Sequence, residues 1–175
     1  TAGGKTEAAF LPVLSSIADD GPGSVRAIYI GPLKALINDQ FQRLEDLCTH
    51  LDMSVTKWHG DSSQGLKDSL LRQPRGVLLI TPESLESLLI NRTAYLPAMF
   101  GGLRAIVIDE VHAFLEGERG LHLASLLSRV RRHASSASPP RLIGLSATVG
   151  DPMVAQRFLS PDDPYSVAVI DDPGA

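Results

Sequence analysis

Four short apolar runs punctuate the chain: VRAIYI (25–30), GVLLI (76–80), RAIVID (104–109) and RLIGLS (141–146). Each is continuously apolar rather than alternating, the pattern of strands covered on both faces. SVTKWH (54–59) predicts a weaker fifth strand and YSVAVI (165–170) a sixth. Between the runs the period changes. Leu33, Leu36, Ile37, Phe41, Leu44, Leu47, Cys48 and Leu51 recur at three and four residues and predict one amphipathic helix. Leu121, Leu123, Leu126, Leu127 and Val130 predict a second, and Leu11, Leu14, Ile17 and Ala18 a third that Pro12 must kink or confine. PESLESLLI (82–90) opens with a proline and a glutamate, both suited to a first helical turn. ASSASPP (134–140) reads as a loop.

Strand and helix in alternation predict an α/β three-layer sandwich, a mostly parallel sheet with helices on both faces. No repeat or linker divides the 175 residues, so one domain is expected. In such sheets ligands gather beyond the carboxyl ends of the strands. The polar clusters fall there: Gly31-Pro32, Thr81-Pro82-Glu83, Asp109-Glu110 and Ser146-Ala147-Thr148 each follow a predicted strand.

Composition narrows the class. Hydrophobic content of 43% and charged content of 21% suit a folded globular chain. No apolar run approaches a bilayer span, so no membrane role is expected. Cys48 is the sole cysteine, which excludes an internal disulfide and predicts a reducing, cytoplasmic setting. A net charge of −4 argues against gripping nucleic acid by global charge, though not against a local groove. The basic cluster RVRRH (129–133) reads as a solvated helix end without a binding role.

Two pieces carry chemistry. Gly4-Lys5-Thr6 matches the end of the phosphate-loop pattern G-x-x-x-x-G-K-[ST]. Glycine there lets backbone amides approach phosphate oxygens, Lys5 brings a point charge to the β- and γ-phosphates, and the Thr6 hydroxyl ligates Mg²⁺. The pattern's first glycine and the strand before the loop would precede residue 1. The chain therefore reads as an excerpt of a longer protein, and the absence of that central strand predicts a gap in the sheet. The second piece is Asp109-Glu110, an acid pair ending an apolar strand. In this Walker B arrangement Asp109 holds Mg²⁺ and Glu110 orients and deprotonates the attacking water. Bound metal and phosphate make such a pair tolerable at a buried strand end. His112 is expected in a hydrogen-bond network between the ATP site and the Ser-Ala-Thr turn.

GGKT (3–6), PLKALINDQ (32–40), TPES (81–84), DEVH (109–112) and SAT (146–148) together resemble, in order, motifs I, Ia, Ib, II and III of superfamily 2 DEAD/DEAH-box helicases. LEGERGLHLASLL and RLIGLSATVGDPMVAQRFL are most similar to the Lhr-like branch. The resemblance covers essentially the whole chain, 1–175. It implies a first RecA-like P-loop NTPase domain, lacking its first strand, that binds ATP against a second RecA-like domain of the same protein. By position, Gly3, Gly4, Lys5 and Thr6 would bind the triphosphate, and Asp109 and Glu110 would serve Mg²⁺ and hydrolysis. Ser146 and Thr148 would couple nucleotide state to strand movement. Pro32, Lys34, Thr81, Pro82 and Glu83 would touch the backbone of single-stranded DNA or RNA, which grips without reading sequence. His59-Gly60-Asp61 falls where related enzymes have a further backbone-contacting turn. Ala2 departs from the family's glycine, so the loop either takes a different shape or uses Gly3 instead. The implied activity is that of a nucleic-acid-dependent ATPase or helicase, negligible without the second domain and its arginine finger. The competing class is a nucleotide-independent nucleic-acid- or protein-binding module, against which intact Lys5, Thr6, Asp109 and Glu110 speak. A GTPase or small-molecule kinase is disfavoured: no N-K-x-D guanine motif appears, and neither class explains PLKAL, TPES and SAT in one order.

Overall fold

The computed structural model describes residues 4–135, 137, 139–148 and 150–170. Strands β1 (Ala27–Ile30), β2 (Val55–Trp58), β3 (Val77–Ile80), β4 (Ala105–Ile108) and β5 (Arg141–Gly144) form one parallel sheet in the order β2-β3-β1-β4-β5. The register puts Trp58, Ile80, Ile30, Ile108 and Gly144 in one row across the sheet. Everything that follows those five residues therefore emerges along a single rim.

Side chains alternate between two cores. Tyr29, Leu79 and Val107 meet α1 (Lys5–Ile17) and α2 (Lys34–Thr49) through Phe10, Leu14 and Leu44. Ile28, Ile80 and Ile106 face the opposite layer of α3 (Gln64–Arg72), α4 (Pro82–Asn91), α5 (Leu96–Phe100), α6 (Gly117–Arg131) and α7 (Pro152–Leu159). Burial on both faces explains why β1, β3 and β4 read as unbroken apolar runs.

The helices at 5–17, 34–49, 82–91 and 117–131 match the sequence periods, and α1 continues through Pro12. The faces match less well. Leu121, expected on the inner stripe, is 76% exposed, whereas Gly120, Leu123, Leu127 and Val130 are buried. The cause is Gly120: a Cβ there would lie 2.2 Å from the Phe114 carbonyl oxygen, so the helix packs by its glycine and turns Leu121 outward. Leu11 and Leu33 are exposed as well.

The sixth strand is not formed. Pro164–Ser166 is a 3₁₀ turn, and Ile170 is 95% exposed. Pro164 fixes its own φ and lacks an amide donor, which favours the turn over a ladder. The Gln156 side chain takes the Val167 carbonyl at 2.7 Å, a group a ladder would need. The gap expected inside the sheet is also absent: β1, β4 and β5 follow one another in continuous register. Among the described residues β5 has no strand on its far side.

Candidate functional site

The strand order divides the rim. β4 and β5 hold the acid pair and the Ser-Ala-Thr turn on one side, and β1, β3 and β2 deliver Gly31, Thr81 and His59 on the other.

On the first side, Gly4 takes a left-handed conformation (φ 61°, ψ 8°) immediately before α1, the geometry glycine permits without strain. Its carbonyl accepts the Ala8 amide at 2.7 Å, the first bond of the helix, and amides ahead of such a bond have no partner within the helix itself. Lys5 is exposed and donates from Nζ to the Ser146 carbonyl at 3.0 Å. Thr6 is buried. Gly3 and Ala2 lie outside the described residues.

Asp109 leaves β4 with its amide on the Ile30 carbonyl (2.9 Å) and is 8% exposed. Its Oδ1 accepts the Glu110 amide at 2.8 Å, and its Oδ2 accepts the Tyr29 hydroxyl. Burial, followed by the negative charge of Asp109, pushes the Tyr29 phenol far above its ordinary range and keeps it a donor. Glu110 itself is left-handed (φ 48°, ψ 46°), an uncommon state for a residue with a side chain. That twist starts the 3₁₀ turn Val111–Phe114, which the Val111 amide ties to β5 through the Leu145 carbonyl at 2.8 Å.

His112 closes the group. Its Nδ1 lies 2.8 Å from Ser146 Oγ and 3.3 Å from Glu110 Oε2. Ser146 donates its single proton to the Thr148 carbonyl at 2.9 Å and accepts the Thr148 amide at 3.3 Å. That assigns the proton to His112 Nδ1, which donates to Ser146. Its approach to Glu110 lacks hydrogen-bond geometry, so Glu110 Oε2 is buried with no hydrogen-bond partner among the described residues. An acceptor with no hydrogen bond to satisfy it suits a general base. Thr148 meets Ser146 through its backbone.

Among the described residues no three His, Cys, Asp or Glu side chains gather as a metal-holding group. The two metal contacts expected from the sequence, the Asp109 carboxylate and the Thr6 hydroxyl, are hard oxygens. Such a sparse oxygen set fits Mg²⁺, which takes its remaining ligands from water and phosphate.

On the other side lies a groove of about 530 Å³ whose lining includes Pro32, Lys34, His59, Lys67, Thr81 and Glu83. Pro82, the remaining residue assigned to this surface, is buried at the start of α4. Thr81 is 4% exposed, and its hydroxyl caps α4 by accepting the Ser84 amide at 3.4 Å. Its side chain thus holds the helix. Lys34 Nζ pairs with Asp61 Oδ2 at 3.1 Å, and this pairing lowers the Asp61 carboxyl pKa. His59 is 4% exposed and its Nε2 meets Asn38 Oδ1 at 3.2 Å. Burial, above all, lowers its pKa below the usual imidazole range, helped by Lys57, Lys34 and Lys67 and opposed by Asp61.

Sequence reasoning missed Tyr29, Lys67 and Arg119. Tyr29 left a signal, a hydroxyl inside the otherwise aliphatic run AIYI. Arg119 reaches the Pro32 carbonyl at 3.4 Å while covering the Phe114 ring, and Lys67 sits 5.9 Å from the Trp58 ring centre. Neither contact has a short-range sequence signature. No helix among the described residues is long and apolar enough to cross a membrane.

The sequence profile of DEAD/DEAH box helicases matches residues 1–156. The ATP-dependent helicase Lhr-Core of Methanothermobacter thermautotrophicus is 34% identical over 91% of the chain and 20% of its own length. The Lhr helicase/uracil glycosylase of Escherichia coli is 33% identical over 95% of the chain and 12% of its own. Among solved structures, Mycobacterium smegmatis helicase Lhr bound to ssDNA and AMP-PNP superposes with a TM-score of 0.80 at 33% identity, over 91% of this chain and 21% of that one. The DUF1998 helicase MrfA gives a TM-score of 0.82 at 32% identity, over 99% and 27%. The chain thus spans a fifth or less of the length of these curated relatives.

Proposed function

The chain belongs to the DEAD/DEAH box helicase family, and from that premise we propose that it is the ATP-binding motor domain of a nucleic-acid-dependent helicase or translocase. In this reading it is one of two RecA-like domains in a longer protein. Gly3, Gly4 and Lys5 hold the triphosphate of ATP, while Thr6 and Asp109 hold Mg²⁺. When bound, that ion neutralises phosphate charge and orients the terminal phosphoryl group. Glu110 accepts the proton of the water that attacks the γ-phosphate. His112, Ser146 and Thr148 form the link between nucleotide and strand movement. Pro32, Lys34 and Glu83 at the groove rim, with the α4 N-terminus set by Thr81 and Pro82, meet the sugar–phosphate backbone of single-stranded DNA or RNA.

One observation carries this reading. Lys5 bonds to Ser146, Ser146 to His112, and His112 lies against Glu110, so the phosphate-loop lysine and the acid pair converge on the same rim. Stimulated turnover requires the partner domain, because arginine fingers are worth about 10³–10⁵ in rate. The test is a calorimetric titration of Mg²⁺-ATP into the full-length protein, with ATPase assays with and without single-stranded nucleic acid. Saturable binding and stimulated hydrolysis, both lost in Lys5→Ala, are expected. Binding indifferent to Lys5 overturns the reading.

A further inference from the structure

Tyr29 lies beneath the acid pair. It sits in the middle of β1, fully buried, and its hydroxyl bonds to Asp109 Oδ2 across 80 residues of sequence. Two neighbours crowd the ring. Phe10 of α1, the helix that starts at Lys5, lies 6.0 Å away centroid to centroid, at a 38° tilt. Gly31 approaches closely as well, where an added Cβ would sit 3.2 Å from Tyr29 Cε1.

Packing alone does not account for the hydroxyl. The neighbouring strand positions are Leu79 and Val107, and an aliphatic or phenylalanine side chain would fill the same space. A buried hydroxyl without a partner costs stability, so this one is present because it has a partner, and that partner is the metal-facing carboxylate. The Glu110 amide takes Oδ1 and Tyr29 takes Oδ2, each leaving a lone pair on its oxygen. Both ends of the carboxylate are thereby fixed in rotation about the Cβ–Cγ bond. Supports of this kind are worth about 10- to 100-fold in metal affinity elsewhere.

We propose that Tyr29 is a positioning residue for the metal: its hydroxyl holds the Asp109 carboxylate in the orientation that receives Mg²⁺ with ATP. This rests on the assignment of Asp109 as the Mg²⁺ contact. It adds that the strand beneath the site, not only the loop, sets the site's demand for the ion. Tyr29 touches neither nucleotide nor reacting water.

The test separates metal from nucleotide. ATP affinity of the full-length protein is measured by calorimetry with Mg²⁺ and with EDTA, for wild type, Tyr29→Phe and Asp109→Asn. Affinity in EDTA is expected to stay within about twofold in all three. The gain on adding Mg²⁺ is expected to shrink by about 10- to 100-fold in Tyr29→Phe and to vanish in Asp109→Asn. A full gain in Tyr29→Phe together with a lost gain in Asp109→Asn overturns the role of Tyr29 while sparing that of Asp109. A full gain in Asp109→Asn removes the premise and the inference with it. A second measurement reads Tyr29 itself. In fluorotyrosine-labelled full-length protein the Tyr29 signal is the one missing from Tyr29→Phe, and its burial sets it apart from the exposed Tyr95 and Tyr165. That signal is expected to shift with Mg²⁺-ATP and not with ATP in EDTA. A signal indifferent to Mg²⁺ overturns the inference.

Discussion

Lys5 Nζ donates a hydrogen bond to the Ser146 carbonyl at 3.0 Å, joining the first described helix to the turn after the last strand. Ser146 in turn holds Thr148 and His112 through its hydroxyl. A lysine ammonium on a neutral carbonyl gains less than one on a triphosphate, because hydrogen bonds with both groups charged are the stronger class. In the proposed function a bound triphosphate therefore competes with the Ser146 carbonyl for Lys5.

Lys5→Ala removes the tether to Ser146 and, in the proposed function, the phosphate contact. Nucleic-acid-stimulated ATPase of the full-length protein is expected to fall at least about 10²-fold, the scale for losing one preorganised charge-stabilising donor. Lys5 is exposed, so unfolding free energy is expected to change by no more than about 0.5 kcal/mol. Steady-state kinetics and urea denaturation check the two halves. A large loss of stability alongside the lost activity would point to a structural lysine.

Glu110→Gln keeps the size of the side chain and removes its basicity. ATP binding is expected to persist while single-turnover hydrolysis falls by about 10²–10⁴-fold, the range for a general base. Oε2 has no hydrogen-bond partner among the described residues, so the amide of glutamine breaks no existing bond there. If the glutamine variant turns over at the wild-type rate, the proton goes elsewhere.

Much of this was legible in the chain, for identifiable reasons. Strands β1, β3 and β4 are buried on both faces and so appear as plain apolar runs. Asp109 and Ser146 stood out because polar groups directly after such runs must lie at a strand end. What could not be read depended on packing between distant segments. Leu121 scored as apolar, but the close approach of Gly120 to Phe114 set the rotation of α6 and put it outside. YSVAVI has strand-like residues, yet Pro164 and the Gln156–Val167 bond take it out of any ladder. Thr81 was visible as a polar residue at the rim, but its cap on α4 depends on where that helix starts. The partner of Tyr29 is 80 residues away and lies outside any local pattern.

Asp61 neutralises Lys34 in the groove, occupying the ammonium that a backbone phosphate would use. Asp61→Asn is expected to tighten single-stranded nucleic acid binding, whereas Lys34→Ala is expected to weaken it uniformly across sequences. Lys34→Ala should also reduce the slope of log affinity against log salt by about one phosphate contact, roughly 0.7 for a single strand. Fluorescence anisotropy over a salt series measures both. An Asp61→Asn variant with unchanged affinity would place Lys34 outside the binding track.

Gly120→Ala puts a Cβ 2.2 Å from the Phe114 carbonyl oxygen, far inside any real contact, and the atom it meets is backbone. Either α6 shifts away from the Val111–Phe114 turn or the turn moves with the acid loop. Overpacking of this kind costs about 1–3 kcal/mol. Chemical denaturation is expected to show that loss, and because the turn follows Glu110 directly, ATPase should fall with it. Gly117→Ala at the helix start meets no atom within 4 Å, but its left-handed backbone (φ 74°) makes the residue unfavourable, at about 1–2 kcal/mol. The two variants therefore separate steric displacement of the turn from local backbone strain: only the first should lower activity beyond its effect on stability.

His59 gives the protein an acid-side liability. Its folded-state pKa lies below the ordinary 6.5, principally because the ring is buried, with Lys57, Lys34 and Lys67 adding to the effect and Asp61 opposing it. The unfolded chain consequently binds a proton in a range where the folded one does not, and stability rises with pH across that range. The contribution of His59 is complete above about 6.5 and is lost as pH falls toward the folded-state value. The Asp61 carboxyl, held low by Lys34, loses its own contribution at more acidic pH, as pH falls from its ordinary 3.8 toward the folded-state value. Thermal unfolding between about pH 8 and pH 5 is expected to show a decline in Tm for the wild type that is shallower in His59→Gln, which carries no titrating ring. Gln keeps an amide donor for Asn38 Oδ1, the partner of the His59 ring at 3.2 Å, so the comparison isolates the proton from the hydrogen bond. Parallel declines in the two proteins would assign the acid sensitivity to other groups.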